Sequence, residues 1–251
     1  MLGGDILEAE NKPRVMIRVK DLRKEYKLES GKGGKAESVV ALKRINLEIM
    51  QGEICCIFGT SGSGKSTLLN QLAGLEKPTY GDVYIRGTAI TRLNEKQLAQ
   101  FRQKHIGFVF QSYNLLPFMT ALENVAMPLM FRGMRKSQRT KAAKAILKKV
   151  GLSSRLKHYP GQMSGGQQQR VGIARAFVAK PAVVFADEPT GNLDSRTTVE
   201  VMEMITSMAR RYNQTIVLVT HDPELAKYAD RIVTLVDGRI VSDEKKYSAN
   251  K

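Results

Sequence analysis

Eight residues between a predicted strand and a predicted helix constrain this fold most. Residues Gly59–Ser66, GTSGSGKS, fit the pattern G-x-x-x-x-G-K-[ST] of a phosphate-binding P-loop. The continuously apolar run Ile54–Phe58 before it predicts a strand buried on both faces of a sheet. The pattern from Lys65 to Ala73 predicts a helix that ends before Gly74. A strand, a glycine-rich turn and a helix in this order indicate an α/β fold.

The P-loop predicts a particular chemistry. Its glycines let backbone N–H groups curl around phosphate oxygens without a Cβ clash, and the helix that follows points its positive end at the same anion. We expect Lys65 to reach the β- and γ-phosphates and the Ser66 hydroxyl to bind Mg²⁺. The residues predicted to hold the phosphates are Gly59, Thr60, Ser61, Gly62, Ser63, Gly64, Lys65, Ser66 and Thr67.

A second apolar run, Ala182–Ala186, is followed by two carboxylates. Asp187 lies where a P-loop ATPase needs an acid near Mg²⁺, so it is a predicted metal ligand. Glu188 is adjacent and is predicted to polarise the water that attacks the γ-phosphate. Because successive side chains of a strand point in opposite directions, we expect the two acids to face different targets. Without a P-loop in the same chain, Asp-Glu-Pro is typical of a capping turn.

A third motif lies directly before a predicted helix. Residues Met163–Arg170, MSGGQQQR, resemble the LSGGQ signature of ABC ATPases, with Met163 in place of the usual leucine. Ser164 can cap the helix, and Gly165 and Gly166 allow close backbone approach to a phosphate. The resemblance extends over roughly residues 14–242 and identifies the chain as a member of the ABC ATPase family.

This resemblance implies roles for further residues. Gln111 resembles the Q-loop glutamine that senses Mg²⁺ and the attacking water, and His221 resembles the switch histidine that contacts the γ-phosphate. Tyr26 resembles the aromatic residue that stacks on adenine, and Asp194 belongs to a stretch that resembles the D-loop. The implied ligands are ATP and Mg²⁺. The predicted catalytic residues are Glu188, His221, Gln111 and Lys65; the ATP-binding residues beyond the P-loop are Tyr26, Ser164, Gly165, Gly166, Gln167 and Asp194; the metal ligands are Ser66, Gln111 and Asp187.

The family also implies an architecture. This is a P-loop NTPase (RecA-like) core with an antiparallel β subdomain and an inserted α-helical subdomain. We expect an N-terminal tail at 1–13, the ATPase domain at 14–242 with its helical subdomain at about 112–180, and a C-terminal tail at 243–251. Two such domains would pack head to tail, so that the signature of one copy, including Ser164 and Gly166, binds the ATP of the other. ATP would close this dimer, and hydrolysis would release it.

Two stretches resemble one group within the family. Residues 107–125 and 187–194 are similar to the ATPases of lipoprotein-release, macrolide-efflux and cell-division transporters. No apolar run approaches the ~20 residues that span a bilayer, and the N-terminus lacks the pattern of a signal peptide. The resemblance therefore implies a peripheral subunit on the cytoplasmic side of the cell membrane that moves a separate permease, with Pro117–Arg132 forming part of the groove for a permease helix.

Two other roles within the family stay open at this point. One is the ATPase subunit of a polar-substrate importer. The other is a regulatory ABC ATPase that controls a partner enzyme of the cell envelope. The sequence does not name the cargo, because its specificity would lie in other chains.

The charge of the chain is strongly asymmetric. The formal net charge is +16, and +13 of it lies in the 63 residues Asn124–Ala186, which contain no Asp or Glu. Such a window indicates an anionic partner or only a solvated helix face. A nucleic-acid ATPase is the third alternative, but the chain lacks aromatic-interleaved basic patches and a nucleic-acid-binding insert, so we expect no nucleic-acid partner. We expect the Arg132–Lys149 run to face lipid headgroups of the cytoplasmic membrane surface or solvent.

Local patterns predict four further features. The alternation in Val15–Val19 is typical of an edge strand, and Ser137 is predicted to cap a helix that runs to about Val150. Glu29–Ser38 is predicted to be an exposed loop. Cys55 and Cys56 are adjacent in a strand, so we expect them on opposite faces as small core residues without a disulfide, as in a reducing cytosolic compartment.

Overall fold

A parallel sheet forms the centre of the protein, whose computed structural model describes residues 14–28 and 37–246. The sheet has six strands. Their order is β10 (Arg239–Lys245), β9 (Arg231–Val236), β3 (Ile54–Phe58), β8 (Thr215–Thr220), β7 (Val183–Asp187) and β6 (Ile106–Phe110). All neighbours are parallel except β10, which pairs antiparallel with β9. The predicted strand Ile54–Phe58 is confirmed, and β10 runs to Lys245, beyond the expected end of the ATPase domain at 242.

A second sheet is antiparallel. Its order is β2 (Glu37–Met50), β1 (Val15–Leu28), β4 (Tyr80–Ile85) and β5 (Thr88–Ala89). The prediction of an edge strand at Val15–Val19 is therefore wrong, because β1 pairs with a neighbour on each side. Its alternation reflects one buried and one solvent-facing side, which an inner strand of an antiparallel sheet also has. Most of the predicted Glu29–Ser38 loop lies outside the described residues.

Seven α-helices occur in the described residues. They are α1 (Lys65–Leu72), α2 (Glu95–His105), α3 (Ala121–Phe131), α4 (Lys136–Lys149), α5 (Gly165–Val178), α6 (Ser195–Arg211) and α7 (Pro223–Ala226). Short 3-10 turns occupy Ile90–Arg92, Ser153–Arg155 and Pro160–Gln162. Within residues 14–28 and 37–246, no helix has the length and apolar character needed to cross a bilayer. The predicted fold class, an α/β P-loop core with an antiparallel β part and an inserted helical part, is confirmed.

Two helix starts differ from the local patterns. Helix α4 is preceded by Arg135 without a side-chain cap, so Ser137 lies inside the helix and the predicted cap is wrong. Helix α3 was not predicted, because Pro128 interrupts its pattern. Its start nevertheless carries a signal: the Thr120 side chain accepts from the backbone of Glu123, and the Glu123 carboxylate accepts from the backbone of Thr120.

The six-stranded sheet separates two apolar clusters. Cys56 lies in the cluster under α3, α5 and α6, whereas Cys55 lies in the cluster shared with α1 and the antiparallel sheet. Both are fully buried, free thiols, as expected from their alternation. Burial raises the pKa of both thiols, that of Cys56 to about 12, so neither is a reactive thiolate.

One of the basic side chains of the helical part, Arg132, is held by hydrogen bonds within the protein. The Arg132 guanidinium donates to the carbonyl oxygens of Gln103 (2.7 Å), Lys104 (2.9 Å) and Ala179 (2.7 Å). It thereby joins the C-terminal ends of α2 and α5, where helix dipoles favour a cation. Arg132 therefore has a structural role as well, because it joins two helix ends while its side chain stays exposed.

Candidate nucleotide site

The ends of four parallel strands define the site. Phe58 of β3 lies level with Thr220 of β8, and Asp187 of β7 pairs with both Val219 and Phe110. The residues that follow these strands therefore emerge at one edge of the sheet. In parallel α/β sheets this carboxyl edge is where ligands bind. It brings together the P-loop, His221, Glu188 and Gln111.

The P-loop bounds a cavity of about 440 Å³. Gly64 precedes α1 with φ 102°, and a Cβ there would lie 2.8 Å from the carbonyl oxygen of Ala41, so only glycine fits. Helix α1 has no side-chain cap. Residues from the P-loop, β2 and the end of β7 share the cavity wall, among them Val40, Ser61, Gly62, Lys65, Thr67 and Glu188.

Two polar side chains of the P-loop, Lys65 and Ser63, are buried. The ammonium of Lys65 is buried and donates to the carbonyl oxygen of Thr60 at 2.8 Å. The hydroxyl of Ser63 is buried and has no hydrogen-bond partner among the described residues. A buried polar group without a partner is costly. A phosphate in the cavity, which Lys65 lines, would give its ammonium an acceptor of higher charge than a carbonyl.

Asp187 is half-buried at the end of β7. Burial raises the pKa of its carboxyl group, and the charge of Glu188 raises it further, whereas the nearby Lys65 ammonium lowers it. No group of three or more His, Cys, Asp or Glu that could hold a metal occurs in residues 14–28 and 37–246. A metal here would need hydroxyl, amide and phosphate oxygens beside one carboxylate. That donor set suits Mg²⁺, so Ser66, Gln111 and Asp187 fit the ion in chemical type.

Glu188 and His221 form a pair that the sequence did not predict. His221 Nδ1 lies 2.8 Å from Glu188 Oε1. An ionised carboxylate can only accept, so Nδ1 carries the hydrogen. Glu188 has φ 42°, a conformation rare for a residue with a side chain, and its N–H donates to the carbonyl oxygen of Val219 at 2.9 Å. The carboxylate is thus fixed from its backbone and from its imidazole neighbour.

Gln111 lies in a second cavity, of about 500 Å³, with Glu188 and His221. The side chain of Asn192 donates to the carbonyl oxygen of Gln111 at 3.2 Å. A Cβ at Gly191 would come within 2.6 Å of the Gln111 amide nitrogen, so this glycine permits the contact. Glu188 lines both cavities and joins the P-loop to the glutamine and histidine.

Tyr26 lies on the antiparallel sheet, opposite Val39, which lines the P-loop cavity. Its hydroxyl donates to Glu76 at 2.9 Å, and the Lys24 ammonium lies 5.0 Å from the ring centroid. Burial and then the Glu76 carboxylate raise the pKa of Tyr26. Tyr26 as a whole remains 37% exposed, which leaves the residue accessible to a flat base.

The signature stands apart from these cavities. Ser164 caps α5: its hydroxyl accepts from the N–H of Gln167 (3.3 Å), and its own N–H donates to the Gln167 side chain (3.1 Å). The two signature glycines are also required by packing within the chain. A Cβ at Gly165 would lie 2.7 Å from the Tyr113 hydroxyl, and one at Gly166 would lie 2.8 Å from Thr197. Residues Ser164–Gln167 line neither of the two described cavities.

Asp194 caps α6 in the same way that Ser164 caps α5. Its carboxylate accepts from the N–H (2.9 Å) and the hydroxyl (2.7 Å) of Thr197, and these bonds lower the pKa of Asp194. Thr197 also contacts Gly166. The predicted D-loop and signature therefore meet through one threonine.

Sequence reasoning missed two buried polar side chains on α5, Gln169 and Arg175. Gln169 shares an apolar helix face with Gly172, Ile173 and Ala176, at spacings of three, four and seven residues. A glutamine on such a face is unusual and is the signal that could have found it. The Arg175 guanidinium donates to the carbonyl oxygens of Asn114 (2.5 Å) and Tyr113 (2.8 Å), and burial lowers its pKa to about 10.

Comparison with known proteins agrees with this geometry. Residues 42–191 match the family described as ABC transporter. The chain is 48% identical over 228 residues to the lipoprotein-releasing system ATP-binding protein LolD of Geobacter metallireducens, covering 91% of this chain and 99% of that protein. It is 46% identical over 231 residues to the macrolide export ATP-binding/permease protein MacB of Marinobacter nauticus, covering 92% of this chain but 35% of that protein. A dimeric structure of the ATP-binding cassette MJ0796 in a post-hydrolysis state, bound to ADP and Pi, superimposes with a TM-score of 0.83 at 43% identity, covering 92% of this chain and 98% of the other.

Proposed function

This chain belongs to the ABC transporter family of ATP-binding proteins, and from this premise we propose that it binds and hydrolyses ATP as the energising subunit of a membrane transporter. The observation that carries the proposal is Glu188, which lines both the P-loop cavity and the cavity of Gln111 and His221. One carboxylate thus adjoins the phosphate-binding loop and a ring nitrogen that holds it at 2.8 Å. This is the arrangement that water activation beside a γ-phosphate needs.

Each residue of the nucleotide site has a distinct role in this proposal. The Lys65 ammonium and the uncapped start of α1 bind phosphate oxygens. Glu188 accepts the proton of the attacking water, and Nδ1–H of His221 orients its carboxylate. Ser66, Gln111 and Asp187 would hold Mg²⁺, which when bound neutralises charge on the phosphates. Tyr26 offers its exposed ring to the adenine.

One proposed protein partner is a second copy of this chain. Ser164–Gln167 line neither described cavity of their own chain, which supports the proposal that they meet the ATP of another copy. The similar cassette MJ0796 has been solved as a dimer. We place the ATPase domain from 14 to the end of β10 at Lys245, beyond the 242 expected from the sequence, with its helical subdomain at about 112–180.

A permease is the third component. An apolar groove of about 280 Å³ lies between β6, α3 and α5, lined by Phe108, Phe110, Met127, Pro128, Phe131 and Ala176. Phe131 is 55% exposed, and Phe110 directly precedes Gln111. A change in the position of Gln111 would therefore be transmitted through Phe110 to a permease helix in this groove. The similarity to LolD and MacB favours export, extraction or mechanical transmission at the cytoplasmic side of the membrane.

The membrane surface is the last proposed contact. Lys141, Lys144 and Lys148 lie on one exposed face of α4 and make no ion pair or hydrogen bond with the described residues. Arg132 and Arg139, in contrast, donate to backbone carbonyls. The three lysines, together with the exposed Arg135 and Lys136, which likewise make no ion pair or side-chain hydrogen bond with the described residues, are thus available to anionic headgroups.

The decisive experiment replaces the proposed general base. Glu188→Gln keeps shape and volume but cannot accept the proton, so ATP turnover should fall by about 100-fold or more. Size-exclusion chromatography with ATP should then show a stable dimer. Glu203→Gln, an exposed glutamate on α6, is the matched control and should keep the parent rate. Turnover at the parent rate in Glu188→Gln would refute this assignment of the base.

A further inference from the structure

The side chain of Gln169 lies fully buried where three functional segments meet. It is 0% exposed, and its amide nitrogen donates to the carbonyl oxygen of Phe110 at 3.3 Å and to that of Pro189. Both neighbours are carbonyl oxygens, so only the NH₂ end of the amide can face them, and its two hydrogens are both used. The amide oxygen has no partner among the described residues.

The two acceptors flank the proposed catalytic groups. Phe110 directly precedes Gln111, and Pro189 directly follows Glu188. The two carbonyls are 79 positions apart in the chain, and one amide group holds both. If that group is removed, both carbonyl oxygens lose a donor, and the Q-loop and the Glu188 turn lose a contact that joins them beyond the sheet pairing of Phe110 with Asp187.

Gln169 belongs to the helix that begins with the signature. The same helix holds the Q-loop at two other points. Arg175 donates to the carbonyl oxygens of Tyr113 and Asn114, whose backbones have φ values of 61° and 47°. The Tyr113 hydroxyl packs against Gly165 so closely that a Cβ there would clash. Helix α5 therefore contacts the Q-loop both at its start and through Arg175.

We propose that Gln169 is a positioning residue that sets the distance between Gln111 and Glu188 and makes it depend on the signature helix of the same chain. The inference rests on the proposed function, in which that signature contacts the ATP of the partner copy. Binding at one nucleotide site would then adjust the catalytic geometry at the other, through a buried amide that touches neither nucleotide.

The test replaces Gln169 by methionine, which is similar in length and lacks the donor. The expected result is a fall in kcat of about tenfold, with the KM for ATP changed by less than about twofold, because the P-loop and Tyr26 are untouched. Gln214→Met is the matched control. Gln214 is also buried, also donates to one carbonyl oxygen (Pro181, 2.7 Å) and also has an amide oxygen without a partner among the described residues, but it lies outside both cavities.

Cooperativity separates positioning from loss of stability. Both variants should lower Tm to a similar extent, but only Gln169→Met should lower the Hill coefficient of ATP hydrolysis towards 1. An unchanged kcat in Gln169→Met, or an equal loss of kcat in Gln214→Met, would overturn the inference. Absence of ATPase activity in the parent protein would instead refute the proposed function, so the two failures are distinguishable.

Discussion

The starts of helices α1 and α5 carry the two most informative motifs of the chain, and these two helix starts are built differently. Helix α1 follows Gly64 in a left-handed conformation and has no side-chain cap. Helix α5 follows Ser164, which exchanges two hydrogen bonds with Gln167. The first four N–H groups of a helix need partners from outside it. At α1 the chain leaves them for a ligand, whereas at α5 it satisfies part of them itself.

This difference teaches which motif is complete within one chain. The P-loop has a cavity, a buried Lys65 side chain and, beside it, the carboxylate of Glu188, the proposed general base. The signature has a cap and tight packing against Tyr113 and Thr197, but no described cavity of its own. A phosphate can enter at α1 directly. At α5, in the proposed dimer, the phosphate would be held by a second copy of the chain. It would bind to the helix start in addition to the Ser164 cap or in its place.

The largest effect is expected at α1. Lys65→Ala removes the buried ammonium and its charge-assisted bonds to phosphate, so ATP affinity should fall by about 100-fold. Equilibrium binding of a fluorescent ATP analogue measures it. Lys96→Ala, at an exposed position of α2, should bind like the parent. Unchanged affinity in Lys65→Ala would mean that α1 is not the open phosphate site and would remove the contrast with α5.

A smaller effect is expected at α5. Ser164→Ala removes the cap at a cost of about 1 kcal/mol in the free energy of unfolding. ATP binding to the monomer should stay unchanged, while ATP-dependent dimerisation in the Glu188→Gln background should weaken. Thr120→Ala removes an equivalent cap from α3 and serves as the control, with the same loss of stability and no effect on the dimer. Loss of monomer ATP binding in Ser164→Ala would contradict the division of roles.

The smallest effect is expected for the positive charge of α4, which lies outside both helix starts. Reversing Lys141, Lys144 and Lys148 to glutamate leaves both motifs intact, so ATP turnover in solution should not change. Binding of the purified chain to vesicles with anionic lipid should weaken by at least about 1 kcal/mol per lysine, and binding to neutral vesicles should stay constant. Equal binding of parent and variant to anionic vesicles would assign these lysines to solvent alone.

Several elements were predictable because their signals are local. The strand Ile54–Phe58 has the predicted bounds and helix α1 begins at the predicted Lys65, since an apolar run or a helical repeat is written in consecutive residues. The position of β1 inside its sheet was not predictable. Alternation records which side chains are buried, and it does not record how many neighbouring strands pair with the backbone.

The sequence by itself determined the P-loop, the pair Asp187 and Glu188 at the end of β7, the cap of α5 and the burial of the two cysteines. Each of these depends on side-chain type at fixed short spacing. Only the tertiary structure decided that His221 holds Glu188, that Arg132 ties two helix ends and that Gln169 joins the Q-loop to the Glu188 turn. The last two contacts end on backbone carbonyl oxygens. Every residue has one, so the acceptor leaves no mark in the sequence, and only the folded path of the chain brings it to its donor.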